Sequence, residues 1–302
     1  MKVLHLSPDG LPNTQIERCA QTGKKEGYST CFAGPFIKGL SLPVKSFDKF
    51  YEAPFNKFAN VKIPSYWRAL KRKLSQILYE YHPDFVHAHN IVAAKLISEF
   101  QVPFVYDDHE YWPKYYKFRV NIRKPQKIFV YRLYARWGKE VLRKASATIT
   151  VSETIAEEHE KLCSHVYVVP NFPSRIETES LKLDFVKNKR LSSVYIGLAD
   201  FSSSRAHMPV PTRDTDGFLD FFLDNSVGTL TVIGDPKLLS SRNVNSLGVL
   251  PHQTAMKELA RHHLGLLPWK KHWFHKYCNP NKPYEYAHAG LLVLAVSDLP
   301  CV

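Results

Sequence analysis

The chain has 302 residues, 44% hydrophobic and 23% charged, which suits two packed domains rather than a disordered or fibrous chain. Its formal net charge of +13, with an isoelectric point near 9.4, calls for an anionic partner such as a nucleotide, an anionic membrane face or nucleic acid. No apolar run reaches the roughly 18 residues of a membrane-crossing helix, and the five scattered cysteines form no Cys-x-x-Cys pair, which argues against a disulfide framework and fits a reducing cytoplasm.

In chain order, Lys2 to Leu6 reads as an apolar strand, too short for a signal peptide, and is followed by the turn-rich loop Ser7 to Thr14. A helix from about Thr14 to Lys25 and a strand from Tyr28 to Ala33 complete the opening β-loop-α-β unit of a doubly wound sheet. Gly10 lies in the loop at the carboxyl edge of the first strand, where an acceptor or phosphate contact competes with a plain connection. Residues 34–64 have no clear period, and Ser65 to Tyr81 reads as a basic helix. Two further strands follow, Pro83 to Asn90 and Pro103 to Glu110, with a short helix, Ile91 to Phe100, between them. Both strands turn from apolar to polar at their carboxyl ends, with His87 and His89 on the first and Asp107, His109 and Glu110 on the second. An open parallel sheet places its site at that edge. His87 reads as a core histidine bonded to backbone. The His-x-His pair is read as presenting its rings to different sides of the strand, so no metal site is expected.

Lys127 to Arg143 reads as a helix in which Tyr131, Tyr134 and Trp137 interleave with Arg132, Arg136 and Lys139. One reading is an interfacial helix, rings at headgroup level and cations toward anionic lipid. The other is a solvated helix with an aromatic core stripe. No nucleic-acid-binding motif accompanies it, so nucleic acid is not expected as a partner. Ala145 to Val151 is a strand, Ser152 caps a helix, Val166 to Pro170 is a strand, and Phe172 to Arg175 is the linker, dividing the chain into domains at 1–173 and 174–302.

The second domain alternates strands (Ser193–Gly197, Thr229–Gly234, Leu247–Pro251, Leu264–Pro268) with helices (Asp216–Asp224, Gln253–His263). Its last helix runs from Asn281, read as the N-cap, to Gly290, read as a left-handed C-terminal residue. Pro283 sits in the first turn, where its missing N–H costs nothing. The run Leu291 to Val296 then reads as a buried strand. Glu285 is therefore a carboxylate at a helix start, suited to a vicinal diol, with Lys282 suited to a phosphate.

The segment Pro280-Asn-Lys-Pro-Tyr-Glu-Tyr-Ala-His-Ala-Gly290 resembles the donor-binding segment of family 4-like glycosyltransferases of the GT-B fold. The Val-His-Ala-His89 and Tyr-Asp-Asp-His-Glu110 strand ends, Val-Ser-Glu153 and Val-Pro-Asn171 fit the same family in the same order. The resemblance implies two Rossmann-like domains facing a cleft, with the closing part of the second apparently missing after Val302. It implies transfer of a sugar from a UDP- or GDP-linked donor to a glycan or lipid-linked acceptor, with no cofactor beyond that substrate and no metal. Glu285 would bind the ribose hydroxyls, Asn281 and Lys282 would lie at the diphosphate, and Arg205 is the candidate basic residue after the first strand of the second domain. His89, His109, Glu110 and Gly10 fall on the acceptor side. Retention of the anomer would need no protein base; inversion would assign that role to His109 or Asp107. Where many members carry an earlier acid, Tyr277 stands here. The competing reading is a non-catalytic module that binds a nucleotide or an anionic surface. A cytoplasmic protein is expected, with a peripheral place on the membrane face as the alternative.

Overall fold

The computed structural model describes residues 1–11, 13–37, 42–55, 64–109, 111–112, 114, 124–173, 179, 181–197, 216–224, 228–236, 238–269, 271–296 and 299. The chain forms two compact units, Met1–Tyr116 with Ile128–Pro170, and Asn171–Val302 with Lys117–Lys127. The expected boundary at 173/174 and the structural one at 170/171 lie in the same Pro-Asn-Phe-Pro turn.

The first unit holds seven strands: β1 (Lys2–Leu6), β2 (Ser29–Gly34), β3 (Lys49–Glu52), β4 (Phe85–His89), β5 (Phe104–Asp108), β6 (Ala147–Thr150) and β7 (Val166–Val168). Their order is β3-β2-β1-β4-β5-β6-β7, and every neighbouring pair is parallel. The chain first winds outward from β1 to β3, then crosses back to β4 and winds the other way. The order therefore reverses between β1 and β4, the position where open parallel sheets bind ligands. Helices α1 (Thr14–Lys25), α2 (Pro64–Tyr81), α3 (Ile91–Ile97), α4 (Lys124–Lys144) and α5 (Glu153–His159) supply the crossovers. Helix α1 begins where the sequence places it because of a reciprocal cap. Asn13 Oδ1 accepts from the N–H groups of Gln15 and Ile16 at 3.1 and 3.3 Å, and Glu17 Oε1 accepts from Asn13 N–H at 2.8 Å.

The second unit repeats the plan with β8 (Ser192–Ile196), β9 (Thr229–Ile233), β10 (Val244–Ser246), β11 (Leu264–Leu267) and β12 (Leu292–Ala295), in the parallel order β10-β9-β8-β11-β12. Here the reversal falls between β8 and β11. Its described helices are α6 (Asp216–Asp224), α7 (His252–Leu259) and α8 (Lys282–His288), with a 3₁₀ turn at Trp273–Tyr277. The core joins Val194, Ile233, Leu259, Leu267, Tyr286 and Leu291.

Several sequence expectations are corrected. The region read as irregular contains β3, whose half-buried edge position gives only a weak pattern. The strand expected at Leu247–Pro251 lies earlier, at Val244–Ser246; Gly248 turns left-handed at φ 60° and Val249 is exposed. Strand β12 is an edge strand, not a buried one, and leaves Leu292 and Leu294 in the open. Asn281 makes no side-chain cap. Its backbone is already helical, and its carbonyl accepts from the N–H groups of Tyr284 and Glu285 at 3.1 Å each. Gly290 does turn left-handed, at φ 67°, and Lys187 Nζ donates to the last carbonyls of α8, those of Ala289 and Gly290, at 3.3 and 3.0 Å.

On α4 two of the aromatic residues, Tyr134 and Trp137, belong to the core, whereas Phe129 is exposed. Tyr134 and Trp137 are buried, with Trp137 stacked on Trp67 at 5.6 Å and Tyr134 6.1 Å from Trp112. The rings of these two residues are thus not available to a headgroup layer. Arg132, Arg136, Lys139 and Arg143, at helical spacing on the other side, are exposed. Among the described residues, no helix is long and apolar enough to cross a membrane.

Candidate active site

In the first unit, polar side chains gather at the reversal between β1 and β4. His5 on β1 is paired in register with His87 on β4, and His89 with Asp107 on β5. Residues two apart on a strand face the same side. His87 and His89 therefore share a face, which corrects the reading that set their rings apart. They stack with centroids 4.2 Å apart and planes 12° from parallel. Asp107 Oδ2 lies 2.9 Å from His87 Nε2, 3.2 Å from His89 Nδ1 and 3.4 Å from His109 Nε2. His5 Nδ1 and His89 Nε2 are 3.1 Å apart, one donating a hydrogen bond to the other. His87 bonds a carboxylate, not backbone as expected.

Burial sets the charges in this cluster. Desolvation, with His87 beside it, holds His89 down to about 3, so its ring is neutral at ordinary pH. Burial and the neighbouring His87 and His89 likewise push His5 well below the usual imidazole range. For Asp107, burial opposes ionisation, but His109, His87 and His89 outweigh it and hold the carboxyl well below the usual range. An anionic carboxylate thus stands beside the neutral His89 ring. Asp107 is 2% exposed and His109 keeps 18% of its side chain in the open. Asp108, on the opposite face of β5, accepts a bond from His159 Nε2 at 2.8 Å and fastens α5 to the sheet.

The strand β4 turns abruptly into α3 at Asn90, which adopts φ 83° and caps the helix, its Oδ1 accepting from Val92 N–H at 3.2 Å. At ψ 152° this lies outside the left-handed helical region, in extended positive-φ space that residues other than glycine rarely adopt. Gly10 lies on the loop after β1, where an added Cβ would stand 2.9 Å from Ile37 Cγ1. Glu110 lies outside the described residues.

In the second unit, α8 begins beside the reversal between β8 and β11. Tyr286 pins it there: its Oη accepts from Ile196 N–H at 3.1 Å and donates to the Leu266 carbonyl at 3.2 Å. The ring lies directly over Gly265, where a Cβ would overlap Tyr286 Cγ. Gly197 and Gly234 close β8 and β9 at φ 135° and 103°, conformations that favour glycine. A Cβ on Gly234 would meet the Gly197 backbone at 3.3 Å, and one on Gly197 would meet Lys282 Cε at 3.4 Å. Lys282 therefore spans a glycine edge that leaves backbone open to close approach. Asn281 Oδ1 is buried with no hydrogen-bond partner among the described residues. Glu285 keeps 16% of its side chain exposed, with His252 Nε2 at 3.5 Å. His252 is itself half exposed, so this pair is weak. Asn171 Nδ2 donates to the Asn279 carbonyl at 2.5 Å, and Asn279 Oδ1 accepts from Asn171 N–H at 3.3 Å. Two motifs far apart in sequence meet through this clasp. Tyr277 is 3% exposed and packs near Phe274, so it fills core. Arg205 lies outside the described residues.

Sequence reading did not single out His5, Gly197, Gly234, Tyr286 or His252. A histidine inside an apolar strand, and two strands each closing on glycine, were the available signals.

Residues 15–172 match the family model described as Glycosyltransferase Family 4. No curated protein matches the chain. Among solved structures, sucrose-phosphate synthase from Thermosynechococcus elongatus is similar with a TM-score of 0.66 and 11% identity, over 98% of this chain and 81% of that one. A glycosyltransferase from Rickettsia africae is similar at 0.58 and 15% identity, over 97% and 78%. UDP-GlcNAc 2-epimerase from Neisseria meningitidis, bound to UDP-GlcNAc, is similar at 0.54 and 12% identity, over 88% and 77%. Structural likeness at these identities gives the fold alone, since an epimerase and transferases share it.

The Tyr286 hydroxyl bonds two strands at once, so its loss should be felt in stability. Tyr286→Phe leaves a buried N–H and a buried carbonyl without their partner, at a cost of about 1–3 kcal/mol. Urea unfolding followed by circular dichroism should show a lower midpoint with an unchanged slope; an unchanged midpoint would remove Tyr286 as the tether of α8.

Proposed function

The chain belongs to glycosyltransferase family 4, and from that premise we propose that it moves a sugar from a UDP- or GDP-linked donor to an acceptor, with retention of the anomer and without a metal on the diphosphate. The observation that carries this reading is the position of Glu285 and Lys282 on one short helix at the strand-order reversal of the second sheet. A carboxylate with two acceptor oxygens matches the vicinal hydroxyls of a ribose. The Lys282 ammonium, above the glycine edge at 197 and 234, matches the adjoining diphosphate. Negative charge grows on that leaving group during transfer, and a fixed cation there lowers the barrier. The unpartnered Asn281 Oδ1 is an acceptor for a donor hydroxyl or amide.

In the first unit the reading assigns acceptor contacts to His109 and His89. His109 is the member of the cluster that reaches solvent, and Asp107 positions it. With retention, the departing phosphate oxygen takes the acceptor proton, so no protein base is required. If the product is inverted instead, His109 takes that proton. Arg205 and Glu110 remain proposed contacts on the donor and acceptor sides.

The acceptor we assign is anionic or carried on an anionic lipid. The exposed stripe Arg132, Arg136, Lys139 and Arg143 supplies the matching charge. Tyr134 and Trp137 take no part in this surface, because they are buried.

Two measurements check this reading. Calorimetry with UDP and GDP should give a saturable heat for one of them, weakened roughly 10- to 100-fold by Glu285→Ala, as expected for loss of charge-assisted hydrogen bonds. Binding that ignores the substitution removes Glu285 from the donor site, and binding without turnover across a nucleotide-sugar panel favours a non-catalytic module. Separately, Arg132→Ser with Arg136→Ser should weaken sedimentation with phosphatidylserine-containing vesicles roughly thirtyfold, at about 1 kcal/mol per cation. Equal sedimentation by the wild type and the variant would refute the basic face as a membrane contact.

A further inference from the structure

The cluster around Asp107 crowds three imidazoles onto one carboxylate oxygen, two of them at longer distance than a well-formed hydrogen bond. His89 Nδ1 is buried and forms no hydrogen bond among the described residues, although Asp107 Oδ2 is only 3.2 Å away. The second carboxylate oxygen, Asp107 Oδ1, is also buried and without a partner among them. His109 Nε2 faces the same Oδ2 at 3.4 Å, and the His89 and His109 rings lie only 4° from parallel. Leaving such atoms unsatisfied in a core costs about 1–3 kcal/mol each. Two imidazole nitrogens and a carboxylate oxygen, all within 4.8 Å of one another, form a donor set that a cation satisfies at once.

The spacing fits an ion of particular size. With metal–nitrogen and metal–oxygen bonds of about 2.0–2.2 Å, donors around a three- or four-coordinate ion stand about 3.3–3.6 Å apart. The observed 3.4 Å falls at that separation and 3.2 Å lies just below it, whereas calcium, with its longer bonds and six to eight oxygens, does not suit it.

The surroundings have the form of an outer shell. A metal-binding histidine usually donates its other ring N–H to a fixed acceptor, which orients the ring. His89 Nε2 has such a partner in His5 Nδ1 at 3.1 Å. Asp107 is held in turn by His87 Nε2 at 2.9 Å. The His109 side leads to solvent, which leaves a coordination position for water or an incoming hydroxyl.

We propose that His89 Nδ1, Asp107 Oδ2 and His109 Nε2 bind one first-row divalent metal ion of the zinc type, with His5 and His87 as the outer shell that holds the ligands. The site lies at the strand-order reversal of the first sheet, within β4, β5 and the residue after it. It is independent of the donor assignment, which uses residues of the second unit; with the ion bound, His89 and His109 act as its ligands in place of the acceptor and base roles given them above, and the site is read by metal binding rather than by sugar transfer.

The test uses the full chain, stripped with a chelator, dialysed, and titrated with zinc by calorimetry and with cobalt by visible absorption. One equivalent should bind, and cobalt should develop the intense visible bands of low-coordinate nitrogen–oxygen ligation. His89→Gln and His109→Gln should each weaken binding at least a hundredfold. His5→Phe, which removes an outer-shell partner, should weaken it 10- to 100-fold. Circular dichroism establishes that each variant is folded; His109, partly exposed, is the substitution that tests the site if the buried variants do not fold. Absence of cobalt bands, or affinity equal in wild type and His109→Gln, overturns the proposal and leaves a carboxylate-centred imidazole cluster without an ion.

Discussion

The second unit depends on one buried hydroxyl. Tyr286 Oη takes the N–H at the end of β8 and gives its own proton to a carbonyl of β11, so one side chain bonds both strands at the place where the sheet changes direction. A helix of two turns has little stability of its own. Its position comes from that tether, from the ring packed over Gly265, from the left-handed exit at Gly290, and from Lys187 at its final carbonyls. Lys282 and Glu285 stand where they do because Tyr286 does. The glycines at 197 and 234 complete the arrangement by leaving the facing strand ends bare.

The first unit reaches a comparable result by electrostatics. Strands β1, β4 and β5 deliver His5, His87, His89 and Asp107 to one face in adjacent registers. Burial keeps the His5 and His89 rings neutral, while the imidazoles around Asp107 outweigh burial and keep its carboxylate charged. Such a cluster is costly to bury unless its members satisfy one another, and here the satisfaction is incomplete. In both units the polar groups sit at the reversal of strand order. That shared placement follows from parallel winding, which opens a crevice between crossover connections leaving in opposite directions.

Much of this was legible in the sequence where local chemistry decides. The start of α1 follows from Asn13 and Glu17, and the alternation of strands and helices follows from apolar runs bounded by turn residues. The end of α8 was legible because Gly290 has a backbone role few other residues fill. What was not legible depends on partners distant in the chain. Asn281 looked like a cap but has a helical backbone, because the helix entry is shaped by the Asn171–Asn279 clasp and the 3₁₀ turn before it. Strand β3 is short, half-buried and at an edge, so its pattern is faint. The rings of α4 were ambiguous until Trp67 and Trp112 supplied their packing partners. His5 drew no notice because its significance lies in a neighbour 84 positions away. The His-x-His pair was misjudged by a simpler route, since strand geometry alone puts both rings on one side.

The functional reading comes down to where a nucleotide settles, and a crystal structure of the protein soaked with UDP, and in parallel with GDP, tests it most directly. The account predicts the ribose 2′- and 3′-hydroxyls on the Glu285 carboxylate and the diphosphate against Lys282 and the backbone at Gly197. Nucleotide density elsewhere, with the Glu285 carboxylate turned to His252 and no ligand near it, would contradict it.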